Sequence, residues 1–162
     1  MSVFSEYQTD TIDLALDFYG YEDCPKNYEF GPSVRENFVL HFITKGKGVF
    51  HFNKKEIHLE AGDLFLLPKN KVTYYKADEE EPWSYYWIGI SGTKVSDFMR
   101  FSTLHEKGFL KKTEVETEKI GQFMEQLVHK AEASKMTSHY QLHLLSQIYE
   151  LLYLIGEVAP NV

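Results

Sequence analysis

The chain has 162 residues, enough for one domain with a core of its own and too many to need disulfide staples. Hydrophobic residues make up 43% and charged residues 25%, which excludes a disordered, collagenous or disulfide-scaffold chain. The formal charge is -7, from 17 Lys and Arg against 24 Asp and Glu, so bulk electrostatics make the chain a poor reader of nucleic acid. Aromatic content is high at 15%.

The single cysteine, Cys24, has no partner for an internal disulfide. With no basic segment and apolar run at residues 1 to 10, the expectation is a cytoplasmic protein with Cys24 reduced. The longest apolar stretches, Leu64-Phe65-Leu66-Leu67 and Leu151 to Ile155, fall far short of the roughly 20 residues of a membrane span.

Residues 1 to about 35 show no clean period. They read as an arm (1–20) followed by irregular or edge-strand structure. Residues 38 to 92 read as strands. Phe38 to Thr44 is aromatic and β-branched and runs into the turn Gly46-Lys47-Gly48. Val49 to Phe52, Glu56 to Leu59, Leu64 to Leu67, Val72 to Lys76 and Trp83 to Ile90 follow, with polar turns and the acidic loop Asp78 to Glu81 between them. Closely spaced strands with intervening turns predict an all-β sandwich or barrel.

From Lys94 the period becomes helical. Val95, Phe98 and Met99 mark a short helix ending near Gly108. Ile120, Phe123, Met124, Leu127, Val128 and Ala131 form an amphipathic stripe. A last helix, capped by Thr137 or Ser138, continues to about Glu157. It carries two stripes: Leu142, Leu145, Tyr149 and Leu152, and Leu144, Ile148, Leu151 and Ile155. At about 100° per residue their centres stand roughly 110° apart, so one face can pack on the chain itself while the other takes a partner helix. Leu144, Ile148, Leu151 and Ile155 are assigned to a homodimer interface.

Signals for chemistry are weak. No H-x-H, G-x-S-x-G or phosphate loop occurs, and His139 and His143 lack the glutamate of H-E-x-x-H. The acidic loop reads as solvated. The aromatic strand is more informative. Trp83, Tyr85, Trp87 and Gly89 share one face, and Ser84, Tyr86, Ile88 and Ile90 the other. Flat aromatic walls beside a glycine suit a ring ligand such as a sugar, and the pattern fits a plain aromatic core equally. On the earlier strand His41, Ile43 and Lys45 share a face.

The run Cys24-Pro25, Phe30-Gly31-Pro32, Arg35, Leu40-His41-Phe42-Ile43 and Gly46-Lys47-Gly48 resembles the N-terminal effector-binding domain of AraC-type transcriptional regulators. So do Leu59-Glu60-Ala61-Gly62-Asp63, Leu66-Leu67-Pro68, Tyr74-Tyr75-Lys76-Ala77-Asp78, Pro82-Trp83 and Tyr85-Tyr86-Trp87-Ile88. The branch it most resembles regulates multiple-sugar, raffinose or melibiose use in bacteria. The resemblance is specific over residues 20 to 92 and looser through the helices.

It implies a mainly β fold: a cupin-like β-barrel, or jelly roll (21–93), followed by a helical dimerisation segment (94–162). It implies a small effector, a mono- or oligosaccharide, and no catalysis, metal or cofactor. Carried over by position, the ligand-binding residues are Lys45, Tyr75, Tyr85 and Trp87, with His41 on the facing strand. Tyr19 and Tyr21, with Phe18, would form an arm over the ligand. Lys45 stands where the family has arginine and Tyr85 where it has histidine; lysine lacks the bidentate fork, so the hydroxyl pattern read should differ. The family's basic helix-turn-helix half has no counterpart here, so DNA would be met only through a further domain, and a truncated piece of a longer regulator is favoured over a stand-alone sensor. The competing readings are a metal-dependent cupin isomerase or dioxygenase, which would use two of His41, His51 and His58, and a dimerisation module whose barrel is filled.

Overall fold

The computed structural model describes residues 3–6, 13–134 and 138–162. Among the described residues ten strands form two antiparallel sheets. One sheet has six strands: β1 (Val3–Glu6), β2 (Ala15–Asp23), β9 (Ser84–Ser91), β4 (Phe38–Lys45), β7 (Leu64–Leu67) and β10 (Phe109–Leu110), in that order. The other orders β3 (Glu29–Ser33), β8 (Thr73–Ala77), β5 (Lys47–Phe52) and β6 (Lys55–Glu60). The chain closes with α1 (Val95–Met99), α2 (Leu104–Lys107), α3 (Thr117–Ser134) and α4 (Tyr140–Val158). The fold is thus mainly β with C-terminal helices, as the strand spacing predicts. Among the described residues no helix is long and apolar enough to cross a membrane.

Strand alternation builds two cores. On β4, Phe38, Leu40 and Phe42 join the layer under the helices, while Val39 and Ile43 join the layer between the sheets. On β7, Leu64 and Leu66 separate in the same way from Phe65 and Leu67. On β9, Tyr86, Ile88 and Ile90 face the helices, and Tyr85 and Trp87 face the opposite sheet. The face division read from the β9 sequence is therefore the one the fold uses. The predicted α3 stripe is also buried at Ile120, Met124, Leu127, Val128 and Ala131.

Three features depart from the reading of the sequence. First, residues 15–20 belong to β2, an inner strand between β1 and β9, so the boundary expected at residue 20 falls within a strand. A register shift between Leu16 and Phe18 puts Leu16 and Tyr19, three apart, on the helix side, which breaks the period-2 signal. Second, α4 begins after His139, which makes no side-chain cap; Thr137 lies outside the described residues. Third, Leu144, Ile148, Leu151 and Ile155 are at most 3% exposed and sit in the chain's own core with the α3 stripe. The stripe expected to meet a second subunit is consumed within the chain. Of the other stripe, Leu152 is buried in the same core and Leu145 is half-buried, while Leu142 at 74% and Tyr149 at 47% are exposed, with Tyr153 beside them at 61%.

Candidate functional site

A cavity of about 390 Å³ opens between the two sheets. Its wall combines Val39 and His41 of β4, Leu67 of β7, Tyr85 and Trp87 of β9, Phe18 and Glu22 of β2, and Phe4 of β1. Phe30 of β3 and Tyr75 of β8 face them, with Tyr28 and Arg35 supplied by the flanking loops.

Two close approaches shape the wall. Gly20 lets the Trp87 indole lie on β2: a Cβ there would stand 2.4 Å from the ring and 2.3 Å from the Val3 carbonyl oxygen. Gly89 lets the Phe18 ring lie on β9, where a Cβ would meet it at 2.3 Å. The open volume expected beside Gly89 is thus occupied by Phe18. The Phe4 ring stacks with Trp87 at 6.0 Å, so the N-terminal strand covers part of the mouth. Phe4 itself is 58% exposed.

His41 is the floor. Its ring lies parallel to Phe65 at 4.3 Å, and Tyr75 and Tyr85 meet it edge-on at 5.3 and 4.9 Å. Burial, with the positive charge of Arg35 second, holds its pKa down to about 3, so the imidazole is neutral at physiological pH. Its Nδ1 is buried without a hydrogen-bond partner. Tyr85 is hydrogen-bonded to Tyr75 and to the Cys24 thiol. Desolvation raises the pKa of both phenols well above the ordinary tyrosine value, and pushes the thiol up to about 11. All three are uncharged groups, offering hydrogen bonds rather than acid–base chemistry near neutrality.

Arg35 lies on the loop between β3 and β4. Its guanidinium carbon is 5.0 Å from the Phe30 centroid and 5.5 Å from that of Phe18. Its Nε is buried and unpartnered.

Four of the residues singled out from sequence, His41, Tyr75, Tyr85 and Trp87, are brought together here. Three are not. Lys45 is exposed: a register shift between Ile43 and Lys45 in the pairing with β9 inserts Thr44 and takes Lys45 off the interior face. Tyr19 is fully buried on the helix side, with its hydroxyl donating to Glu132 at 2.8 Å. Tyr21 also faces the helices, its ring 4.7 Å from Tyr86 and its hydroxyl donating to Asp23. Neither forms a lid. Sequence reasoning missed Arg35, Glu22, Phe4 and Phe30 as wall residues. An isolated arginine in the small, apolar run Pro32-Ser33-Val34-Arg35 is the signal that was available. Among the described residues no group of three His, Cys, Asp or Glu is placed to hold a metal ion.

Known proteins bear out the family resemblance read from the sequence. Over 160 residues the chain is 36% identical to the Msm operon regulatory protein of Streptococcus mutans, covering 99% of this chain and 56% of that protein. Over 100 residues it is 40% identical to the raffinose operon transcriptional regulatory protein RafR of Pediococcus pentosaceus, covering 60% of this chain and 36% of that protein. The chain spans about half the length of the first relative. A solved cupin superfamily protein of Desulfitobacterium hafniense superposes with a TM-score of 0.43 at 14% identity, covering 56% of this chain and 78% of that one. Residues 15–152 match the model of the AraC-like ligand binding domain, and on that match, which takes in most of the chain, it belongs to this family.

Proposed function

We propose that this chain is the sugar-sensing and self-associating part of a cytoplasmic transcription regulator, and that the cavity between the sheets holds the effector. The observation that carries the reading is the chemistry of the wall. Aromatic rings surround two buried polar atoms, His41 Nδ1 and Arg35 Nε, that the protein leaves unpaired. An unpaired buried polar group costs about 1–3 kcal/mol, which a hydroxylated ligand recovers. The apolar C–H faces of a sugar ring suit Trp87 and Phe4, and its hydroxyls suit Arg35, His41 and the tyrosines.

The chain performs no reaction on the sugar and reads no DNA by itself; base recognition belongs to the remaining length of such a regulator. The experiment is a melting and tryptophan-fluorescence screen against raffinose, melibiose, lactose, galactose, glucose and arabinose. A sugar at 100 times its Kd adds about 2.7 kcal/mol. That raises Tm by about 5–11 °C for a chain of this size. A flat response to the whole panel refutes the reading.

Self-association uses the outer face of α4. Leu142, Tyr149 and Tyr153 follow helical spacing, and Phe101 beside them is 66% exposed. Together with Phe98, Leu152 and Gly156, Tyr149, Tyr153 and Phe101 line a shallow groove of about 350 Å³. A second copy packing its own α4 there would cover an apolar stripe that a monomer leaves in water.

A further inference from the structure

We propose that a groove on the outer face of the four-stranded sheet is a separate ligand site, for a phosphorylated sugar. It lies outside the inter-sheet cavity and does not rest on the effector reading. Strands β5, β6 and β8 floor it, and its volume is about 550 Å³.

Charge carries the argument. The chain as a whole is acidic at -7, yet three lysines, Lys54, Lys55 and Lys71, line this groove against one carboxylate, Glu56. That carboxylate is engaged, with its oxygens 3.8 Å from His51 Nε2 and 3.3 Å from His58 Nε2. Among the described residues none of the three lysines has a carboxylate within ion-pair distance. Lys54 and Lys55 come from the β5–β6 turn and Lys71 from the loop entering β8, two segments that strand pairing sets side by side. The turn adds a second observation. Asn53 and Lys54 both have left-handed backbone, with φ of 53° and 62°, a two-residue hairpin that Asn-Gly fills best. Lysine holds the second position at a conformational cost that glycine avoids, and it places a cation on the groove.

The floor supplies a ring contact. His51 and Tyr74 are half-buried, their rings 5.1 Å apart and inclined at 57°, and the Tyr74 hydroxyl is pinned by donating to Glu29. Rings inclined in this way form a corner. A puckered pyranose can rest C–H groups on both walls, whereas a flat base stacks on one alone. The lysine ammoniums are compact point charges suited to a phosphate group. Phosphate on the lysines with a pyranose in the corner makes a hexose phosphate.

The test adds glucose-6-phosphate or galactose-6-phosphate to ¹⁵N-labelled protein, with calorimetry for affinity. Backbone amides of residues 51–56 and 71–74 should shift, and unphosphorylated glucose should leave them in place. Lys54→Gly installs the favoured Asn-Gly turn, so it removes the charge without endangering the fold. It and Lys71→Gln should each weaken binding about fivefold, the upper end for one exposed ion pair. The double variant should lose about twenty-five-fold, because the two act independently. Lys69→Gln, on the same loop but outside the groove, should stay within about twofold. Unmoved amides in wild type, or wild-type affinity in the double variant, overturns the proposal. So does inorganic phosphate or AMP binding as tightly as the hexose phosphates.

Discussion

Acidification should destabilise this protein through His41, and the size of the effect follows from its burial. The imidazole is 2% exposed, stacked on Phe65 and close enough to Arg35 to feel its charge, so the folded state does not accept a proton until about pH 3. The unfolded chain takes one up near its ordinary value of 6.5. Because the folded pKa is depressed, stability is full above 6.5 and falls as pH drops from 6.5 toward 3. Each pH unit inside that window costs about 1.4 kcal/mol, so moving from pH 7 to pH 5 costs about 2 kcal/mol. In Tm that is about 4–8 °C.

The assay is urea denaturation at pH 7 and pH 5 of wild type, His41→Asn and His41→Phe without added sugar. The two variants cannot titrate at this position and should lose about 2 kcal/mol less over the same interval. His105, whose pKa is also lowered by burial, is present in all three proteins and cancels in the comparison. Parallel curves for wild type and both variants would refute the reasoning.

Other outcomes follow from the packing. Gly20→Ala should push the Trp87 ring off β2 and cost about 1–3 kcal/mol, seen as a lower melting point and altered tryptophan emission. Ile148→Ala should cost about 2–5 kcal/mol in chemical denaturation, because that side chain is fully buried in the chain's own core. Tyr153→Ser should leave monomer stability within about 0.5 kcal/mol yet weaken self-association in sedimentation velocity, because the ring is 61% exposed on the outer face. Cys24 is buried, with a thiol pKa near 11, so a thiol-specific disulfide reagent at pH 8 should react slowly with native protein and rapidly in denaturant.

Legibility in the sequence tracked the regularity of the backbone. On β4, β7 and β9 every second residue faces the same layer until a bulge intervenes. Strict alternation therefore sorted His41, Tyr85 and Trp87 onto the interior face without knowledge of the partner sheet. The errors sit at the irregularities. One extra residue, Thr44, removes Lys45 from the interior, and the shift between Leu16 and Phe18 hides β2 among residues read as an arm. Tyr19 and Tyr21 go astray with that strand. Arg35 was illegible for a different reason. A loop has no period, and the side chain reaches the cavity from a loop whose backbone is hydrogen-bonded to Asn70, far along the chain. On α4 both apolar stripes were visible. Which one turns inward is decided by α3 and the sheet beneath, and helical spacing carries no record of that.

Strand β9 is a partition one peptide thick. Trp87 borders the cavity on one side, while its neighbour Tyr86 faces α3 on the other, within 3.4 Å of Glu125 and 3.3 Å of His129. No padding of side chains separates the two compartments. Backbone movement that shifts Trp87 also shifts Tyr86, so a tilt of β9 that widened the cavity would reach α3 through Tyr86. The same thinness limits engineering: remodelling the cavity wall for a larger ligand also resets the seat on which α3 and α4 rest.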